Sequence, residues 1–221
     1  MIEVVAFDVG STLVREDGYW AAWADWLGVP RHTLSALVGA VVAQGRDDSD
    51  AIRLAKPGVD VDAERRAWDA SARADWLEGR DLYPDARPAL GALRALGVRI
   101  VVAGNQPVRT GELLRGLELP ADAIATSGEW GVAKPDPGFF ERVVALGGAA
   151  PDRTLYVGDH PVFDVRAARA AGLRAAHLRR GPWGHLWAAS DDVARADWRI
   201  SELGELVELM GSSSGERSYG V

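Results

Sequence analysis

The chain has 221 residues, of which 48% are hydrophobic and 26% charged, with a formal net charge of −7; this suits one large globular domain or a domain carrying an insertion. The acidic surplus and the lack of a basic block exclude an electrostatic nucleic-acid binder, and the absence of cysteine excludes a disulfide scaffold, a thiolate zinc site and a cysteine nucleophile. No apolar run reaches the ~18 residues of a membrane span, and Met1-Ile2-Glu3-Val4-Val5 has neither the basic start nor the apolar stretch of a signal peptide, so a cytoplasmic location is expected.

The first element expected is a short buried strand, Val4-Val5-Ala6-Phe7, closing on Asp8. From 14 to 82 no second run of that kind occurs. Trp20, Trp23, Trp26 and Leu27, then Leu34, Leu37, Val38, Val41 and Val42, recur at helical spacing, with Gly28-Val29-Pro30 between two helices and Gln44-Gly45 ending the second. A third helical pattern covers 63–76. The stretch 14–82 therefore reads as an all-helical insertion, and its spacing makes Trp20, Trp23, Trp26, Trp68 and Trp76 packing residues in preference to an aromatic substrate pocket. From Pro88 helices are expected at 88–96, 110–117, 139–146 and 164–171, alternating with strands at 98–103, 123–126, 154–157 and 174–178. That alternation specifies βαβ units and an α/β fold, an open parallel sheet flanked by helices. Residues 1–13 and 83–210 make this core, 14–82 an inserted helical cap, and 211–221, opening on Gly211-Ser212-Ser213-Ser214-Gly215, a flexible tail.

Ligands of an open parallel sheet bind beyond the C-terminal strand ends, where the strand order reverses. Those positions carry Asp8-Val9-Gly10-Ser11-Thr12-Leu13, Gly104-Asn105-Gln106, Ala133-Lys134-Pro135-Asp136-Pro137 and Gly158-Asp159-His160-Pro161-Val162-Phe163-Asp164. Carboxylates of this kind suit Mg²⁺, and a lysine beside them suits a phosphoryl group. Lys134 is one of only two lysines, the other being Lys56.

The four blocks, in this order and strand context over most of residues 1–180, resemble the haloacid dehalogenase-like (HAD) superfamily. Its pattern is a strand ending in Asp-x-Asp-x-Thr, a strand ending in Ser/Thr, a Lys, and Gly-Asp-x-x-x-x-Asp. The resemblance implies a Rossmann-like core with the helical cap of the family's first structural subgroup, and a Mg²⁺-dependent phosphatase acting on a small phosphorylated metabolite. It implies Asp8 as the nucleophile, giving an aspartyl-phosphate. Asp8, the Gly10 carbonyl and Asp159 would hold Mg²⁺, with Asp164 reaching it through water or standing just behind. Lys134 would neutralise both nucleophile and phosphate, and Thr12, Gly104 and Asn105 would contact the phosphate.

Two departures qualify the resemblance. The family's acid/base aspartate, two residues after the nucleophile, is Gly10 here, and its loss implies weak activity on alkyl phosphates and better activity on acyl phosphates, a general acid/base being worth roughly 10²–10⁴-fold. On that reading Gly10→Asp raises turnover. The family's Ser/Thr hydroxyl is replaced by Gly104. Three explanations of Gly10 are open: a phosphatase with a surrogate acid/base (His160 or a cap residue), cleavage of a carbon–phosphorus or carbon–halogen bond, or a non-catalytic binding protein. The carbon–phosphorus form needs a cap lysine, and Lys56 is the one available, although Pro57-Gly58 makes it an ordinary turn residue first. Glu16 and Asp17 read equally as site-facing groups or as a solvated hinge. His32, His177 and His185 read as structural, and Arg179-Arg180 as a loop.

Overall fold

The computed structural model describes residues 1–71 and 76–215, with side chains through 212. The chain runs β1 (Val4–Phe7), α1 (Asp17–Leu27), α2 (Arg31–Val42), α3 (Asp50–Ala55), α4 (Val61–Asp69), α5 (Ala86–Ala95), β2 (Arg99–Gly104), α6 (Val108–Gly116) and β3 (Ala123–Thr126). It continues through α7 (Ser127–Trp130), α8 (Pro137–Gly147), β4 (Thr154–Gly158), α9 (Ala167–Ala170), β5 (Arg174–Leu178), α10 (Gly181–Leu186), α11 (Asp191–Ala194), β6 (Trp198–Ile200) and α12 (Leu203–Gly215).

The strands form one parallel sheet in the order β3-β2-β1-β4-β5-β6. β1 sits between β2 and β4, with Val4 opposite both Arg99 and Thr154. Every β1 residue is buried because alternate side chains feed cores on opposite faces. Val5 and Phe7 join Ile100, Val102, Leu155 and Val157 under α5 and α12. Val4 and Ala6 join Val101, Tyr156 and Phe140 of α8 on the other face. The chain leaves β1 for β2 on one side and reaches β4 on the other, so the order reverses at β1, and a crevice opens at its C-terminal end.

Helices α1 to α4, which lie between β1 and α5 in sequence, share a third core. α1 ends at Gly28, whose φ of 71° needs a residue without a Cβ penalty. α4 starts under Asp60, whose carboxylate accepts from the Asp62 and Ala63 amides. The Trp23 and Trp68 rings stack at 4.7 Å and 9° between α1 and α4, and Leu34, Val38, Val41 and Val42 of α2 close the cluster. This is the packing role expected of the tryptophans. Trp187, just after α10, donates from Nε1 to the Val42 carbonyl at 2.8 Å and ties this helical group to the sheet domain.

Several expectations change. The helix expected over 63–76 ends at Asp69; 72–75 lie outside the described residues, and Trp76 packs on Tyr19 from beyond the helix, 5.3 Å between ring centroids. α3 and β6, of 6 and 3 residues, are too short to show a period. The helix expected at 164–171 starts earlier, as a π-type turn over Pro161–Arg166 that runs into α9. The flexible tail read for 211–221 is corrected as far as Gly215: α12 continues to that residue because Leu203, Leu206 and Met210 are buried in the main core and carry the helix through the Gly-Ser stretch. Residues 216–221 lie outside the described residues. Among the described residues no helix is long and apolar enough to cross a membrane.

Candidate active site

The first carboxylate leaves the sheet where β1 ends. The Asp8 amide donates to the Val157 carbonyl at 2.9 Å, a last ladder bond that fixes Asp8 at the strand order reversal. A tight turn follows, with the Val14 amide on the Val9 carbonyl and the Ser11 amide on the Val14 carbonyl. β4 ends one residue before Asp159, and the Pro161–Arg166 turn brings Asp164 back beneath it. Lys134 enters from the loop before α8, held by Asn105 after β2. The Asn105 side-chain amide donates to the Lys134 carbonyl at 2.9 Å, and its Oδ1 accepts from the Lys134 amide at 2.8 Å.

These elements converge on a buried ionic cluster. Lys134 Nζ donates to Asp8 Oδ1 at 2.7 Å and to Asp164 Oδ1 at 2.6 Å. Asp164 Oδ2 accepts from the His160 amide at 2.8 Å, so both of its oxygens are engaged. Carboxylate oxygens of Asp8, Asp159 and Asp164 lie within 4.8 Å of one another. Three carboxylates share one ammonium here, which leaves negative charge in a water-poor place. The consequences follow from desolvation and proximity. Burial pushes the Asp8 carboxyl up to about 6 against the pull of Lys134. Burial, then Asp164 and Asp8, hold Asp159 well above the ordinary carboxylate value. For Lys134 burial works against the charge, but Asp164 and Asp8 outweigh it and keep the amine protonated. An all-oxygen donor set with uncompensated negative charge fits a hard divalent cation such as Mg²⁺.

The cluster opens into a cavity of about 1100 Å³ between the sheet edge and α1–α4, whose wall includes Asp8, Gly10, Lys134 and Asp159 on one side and Tyr19 and Trp68 on the other. Gly10 lies on this wall beside Asp8. A Cβ placed there would lie 2.9 Å from Glu16 Oε1, so the Glu16 carboxyl occupies the space that a side chain at position 10 would fill. Ser11 Oγ donates to Glu16 Oε2 at 2.6 Å. Burial, followed by the charge of Asp48, pushes Glu16 up to about 7.

The structure gathers Asp8, Gly10, Lys134, Asp159 and Asp164 as the sequence suggests, and reassigns others. Thr12 is fully buried and is not part of the cavity wall; its carbonyl accepts from Arg180 at 2.9 Å and its hydroxyl has no partner among the described residues. The phosphate contact expected of Thr12 thus has no exposed hydroxyl to make it, because the turn after Asp8 buries the side chain. Asn105 borders the cavity and holds the Lys134 backbone through one amide N–H and its Oδ1, so it positions the lysine; the second N–H of its side chain is left for the phosphate contact expected of it. At Gly104 a Cβ would lie 2.5 Å from Asp8 Oδ1; Asp8 itself fills the room of the expected hydroxyl. His160 Nδ1 accepts from the Val162 and Phe163 amides at 3.1 and 3.2 Å and caps the turn that follows. Its ring is 4.2 Å from Phe163 and 4.0 Å from Trp183, and burial, then Lys134, push it down to about 3. His160 is thus a neutral cap. Lys56 is exposed, pairs with Glu64 at 3.3 Å and takes no part in the cavity wall. Arg180 is buried against Asp85 and the Tyr83 ring. Of the two readings the sequence leaves equal for Glu16, a site-facing group or a solvated hinge residue, the structure places it on the cavity wall; no spacing rule connects it to the absent side chain at Gly10.

Comparisons with known proteins bear on the family and the fold. The family profile of haloacid dehalogenase-like hydrolases matches residues 2–172. A phosphoserine phosphatase of Thermus thermophilus is 36% identical over 128 residues, covering 57% of this chain and 49% of that protein. A glyceraldehyde 3-phosphate phosphatase of Methanopyrus kandleri is 31% identical over 131 residues, 58% of this chain and 56% of that protein. The chain thus spans about half the length of these relatives. Among solved structures, a HAD-superfamily hydrolase of subfamily IA from Geobacter sulfurreducens superposes with a TM-score of 0.67 at 20% identity, covering 95% of this chain and 97% of that one, a likeness of fold.

Proposed function

The chain belongs to the haloacid dehalogenase-like hydrolase family, and from that premise we propose that it is a Mg²⁺-dependent phosphatase of small phosphorylated metabolites that passes the phosphoryl group through Asp8. The observation that carries this reading is the Lys134 ammonium, bound at once to Asp8 and Asp164 beside Asp159 on the wall of a cavity. An isolated buried lysine would give up its proton; this one is held charged, as a group that receives a dianion must be.

Asp8 Oδ attacks phosphorus in line with the departing oxygen, since its position at the strand end aims it into the cavity. Lys134 offsets the repulsion between that carboxylate and the incoming phosphate, and Asn105 and Asp164 hold the lysine still while this happens. Asp8 and Asp159, with Asp164 behind them, would hold Mg²⁺, which supplies the positive charge that three carboxylates and one lysine leave lacking. The helices α1–α4 serve as a cap: with the sheet edge they enclose the reacting groups and keep bulk water from the acyl-phosphate. The names of the related phosphoserine and glyceraldehyde 3-phosphate phosphatases support a small phosphate ester as substrate. Carbon–phosphorus cleavage gains no support, because Lys56 is exposed and paired with Glu64.

The test is release of inorganic phosphate from acetyl phosphate and from p-nitrophenyl phosphate, with and without Mg²⁺. The wild-type protein is expected to release phosphate only with the metal, and Asp8→Asn to reduce release to the uncatalysed rate. Equal release by wild type and Asp8→Asn would sink the reading.

A further inference from the structure

We infer that the Glu16 carboxyl group is the proton donor and acceptor for this hydrolysis, standing in the side-chain space that Gly10 leaves open. The inference rests on the proposed role of Asp8 as phosphoryl acceptor and adds a residue to it.

The geometry singles out this carboxyl. Glu16 Oε1 is 2.9 Å and Cδ 3.2 Å from the place a Cβ of residue 10 would take. The group therefore sits over the backbone two residues beyond Asp8 and on the same cavity wall. Its Oε2 is oriented by Ser11 Oγ at 2.6 Å, which leaves Oε1 turned to the open space at Gly10. Among the described residues Glu16 makes no ion pair, and the hydrogen bond that orients its side chain comes from Ser11. The other ionisable groups near Asp8 are committed. Asp164 is bonded through both oxygens, and Lys134 is bonded to Asp8 and Asp164. His160 spends Nδ1 on two backbone amides. Asp159 belongs to the carboxylate cluster assigned to the cation.

The chemistry requires such a group. When Asp8 attacks phosphorus the bond to the substrate oxygen breaks, and an alkoxide is a poor leaving group unless it receives a proton as it departs. The Glu16 carboxyl supplies that proton, giving the free alcohol and a Glu16 carboxylate, while the phosphoryl group rests on Asp8. Water then attacks the same phosphorus, the Glu16 carboxylate takes a proton from it, and the bond to Asp8 breaks. Inorganic phosphate leaves, and both carboxyl groups return to their starting states.

The experiment compares glycerol 2-phosphate, an alkyl ester, with p-nitrophenyl phosphate, whose leaving group needs no proton, using the full chain with Mg²⁺. Glu16→Gln keeps the size and the bond from Ser11. It is expected to lower turnover of glycerol 2-phosphate by roughly 10²–10⁴-fold. With p-nitrophenyl phosphate it should still release a rapid burst of one equivalent of nitrophenol, followed by a slow steady state, because attack of water on the phosphorylated Asp8 now lacks its proton acceptor. The swap Glu16→Ala with Gly10→Asp, which removes one carboxyl and builds another in the same space, should recover at least about tenfold of the glycerol 2-phosphate activity lost by Glu16→Ala alone. A loss equal for both substrates with no burst, no loss at all, or a swap that recovers nothing would each overturn the role of Glu16 while leaving Asp8 intact. Turnover that survives Asp8→Asn, or a wild-type protein that releases no phosphate, overturns the phosphatase reading and this inference together.

Discussion

At the residue scale the site is governed by one cation buried among three carboxylates. Removing Lys134 leaves Asp8 and Asp164 close together without compensation, and breaking a buried ion pair from one side typically costs about 3–5 kcal/mol. Lys134→Met should therefore show a lower urea midpoint in Mg²⁺-free buffer as well as lost activity, whereas a stability within ~0.5 kcal/mol of wild type would contradict the cluster. Asn105→Ala removes both side-chain bonds to the Lys134 backbone. It is expected to lower kcat by about tenfold, the order seen when a residue that orients a reacting group is lost, with KM nearly unchanged; a rise in KM alone would mean that Asn105 binds phosphate directly. Gly10→Asp by itself is expected to give no gain in turnover, because the new side chain collides with Glu16. The sequence points the other way, since a missing acid/base invites its replacement, and only the position of Glu16 reverses the sign.

At the element scale, short pieces of regular structure place those residues, and each has an identifiable anchor. The Trp23–Trp68 stack joins α1 to α4, and both rings are buried. Trp68→Ala should cost about 3–5 kcal/mol and be visible as an early loss of helical ellipticity on heating, since the cluster of α1–α4 is separate from the cores of the sheet. His160 caps the turn that carries Asp164. His160→Asn, which keeps an acceptor at the cap, should retain most of the activity, and His160→Ala should lose about 1 kcal/mol of stability. A tenfold fall in kcat for the asparagine variant would return His160 to the list of proton carriers. The strand at 4–7 was legible as a continuous apolar run, and those at 123–126 and 174–178 from their alternation with helices of about ten residues. The limits of α4 and α12 were not, since tertiary burial of Trp68 and Met210 decides where each helix gains enough contact to persist.

At the scale of the whole molecule, the raised carboxyl groups give stability a definite pH dependence. Glu16 at about 7 and Asp48 and Asp8 at about 6 hold protons in the folded state that the unfolded chain has already released. The folded state binds more protons across that window, so their contribution is full below the ordinary carboxylate range and is lost as the pH rises through 6 and 7. The lowered carboxyl groups Asp50, Glu64, Glu129 and Asp197 act in the opposite sense but at more acidic pH. His160 and His177, pushed down by burial to about 3 and about 4, offset part of the fall below the ordinary histidine range, where the unfolded chain holds the protons they have lost. Without metal, Tm should fall between pH 5 and pH 8, and Asp48→Asn should reduce that fall. Mg²⁺ at about 100 times its dissociation constant should restore about 2.7 kcal/mol, or about 2–4 °C per kcal/mol for a chain of this size. Asp159→Asn should abolish the gain; a Tm indifferent to Mg²⁺ at pH 8 in the wild-type protein would count against the metal.

The sequence by itself determined the parallel α/β architecture, the helical group between β1 and β2, and the acidic and basic residues at the strand ends, because periodicity and residue chemistry are local properties. The tertiary structure alone decided what each of those residues touches. Thr12 turns into the core, Asn105 holds a backbone, His160 caps a turn, and a glutamate six residues beyond Gly10 fills the space that glycine leaves. Such assignments depend on how a strand end, two loops and the start of α1 approach one another, and the distances of that approach are set by packing of the three cores.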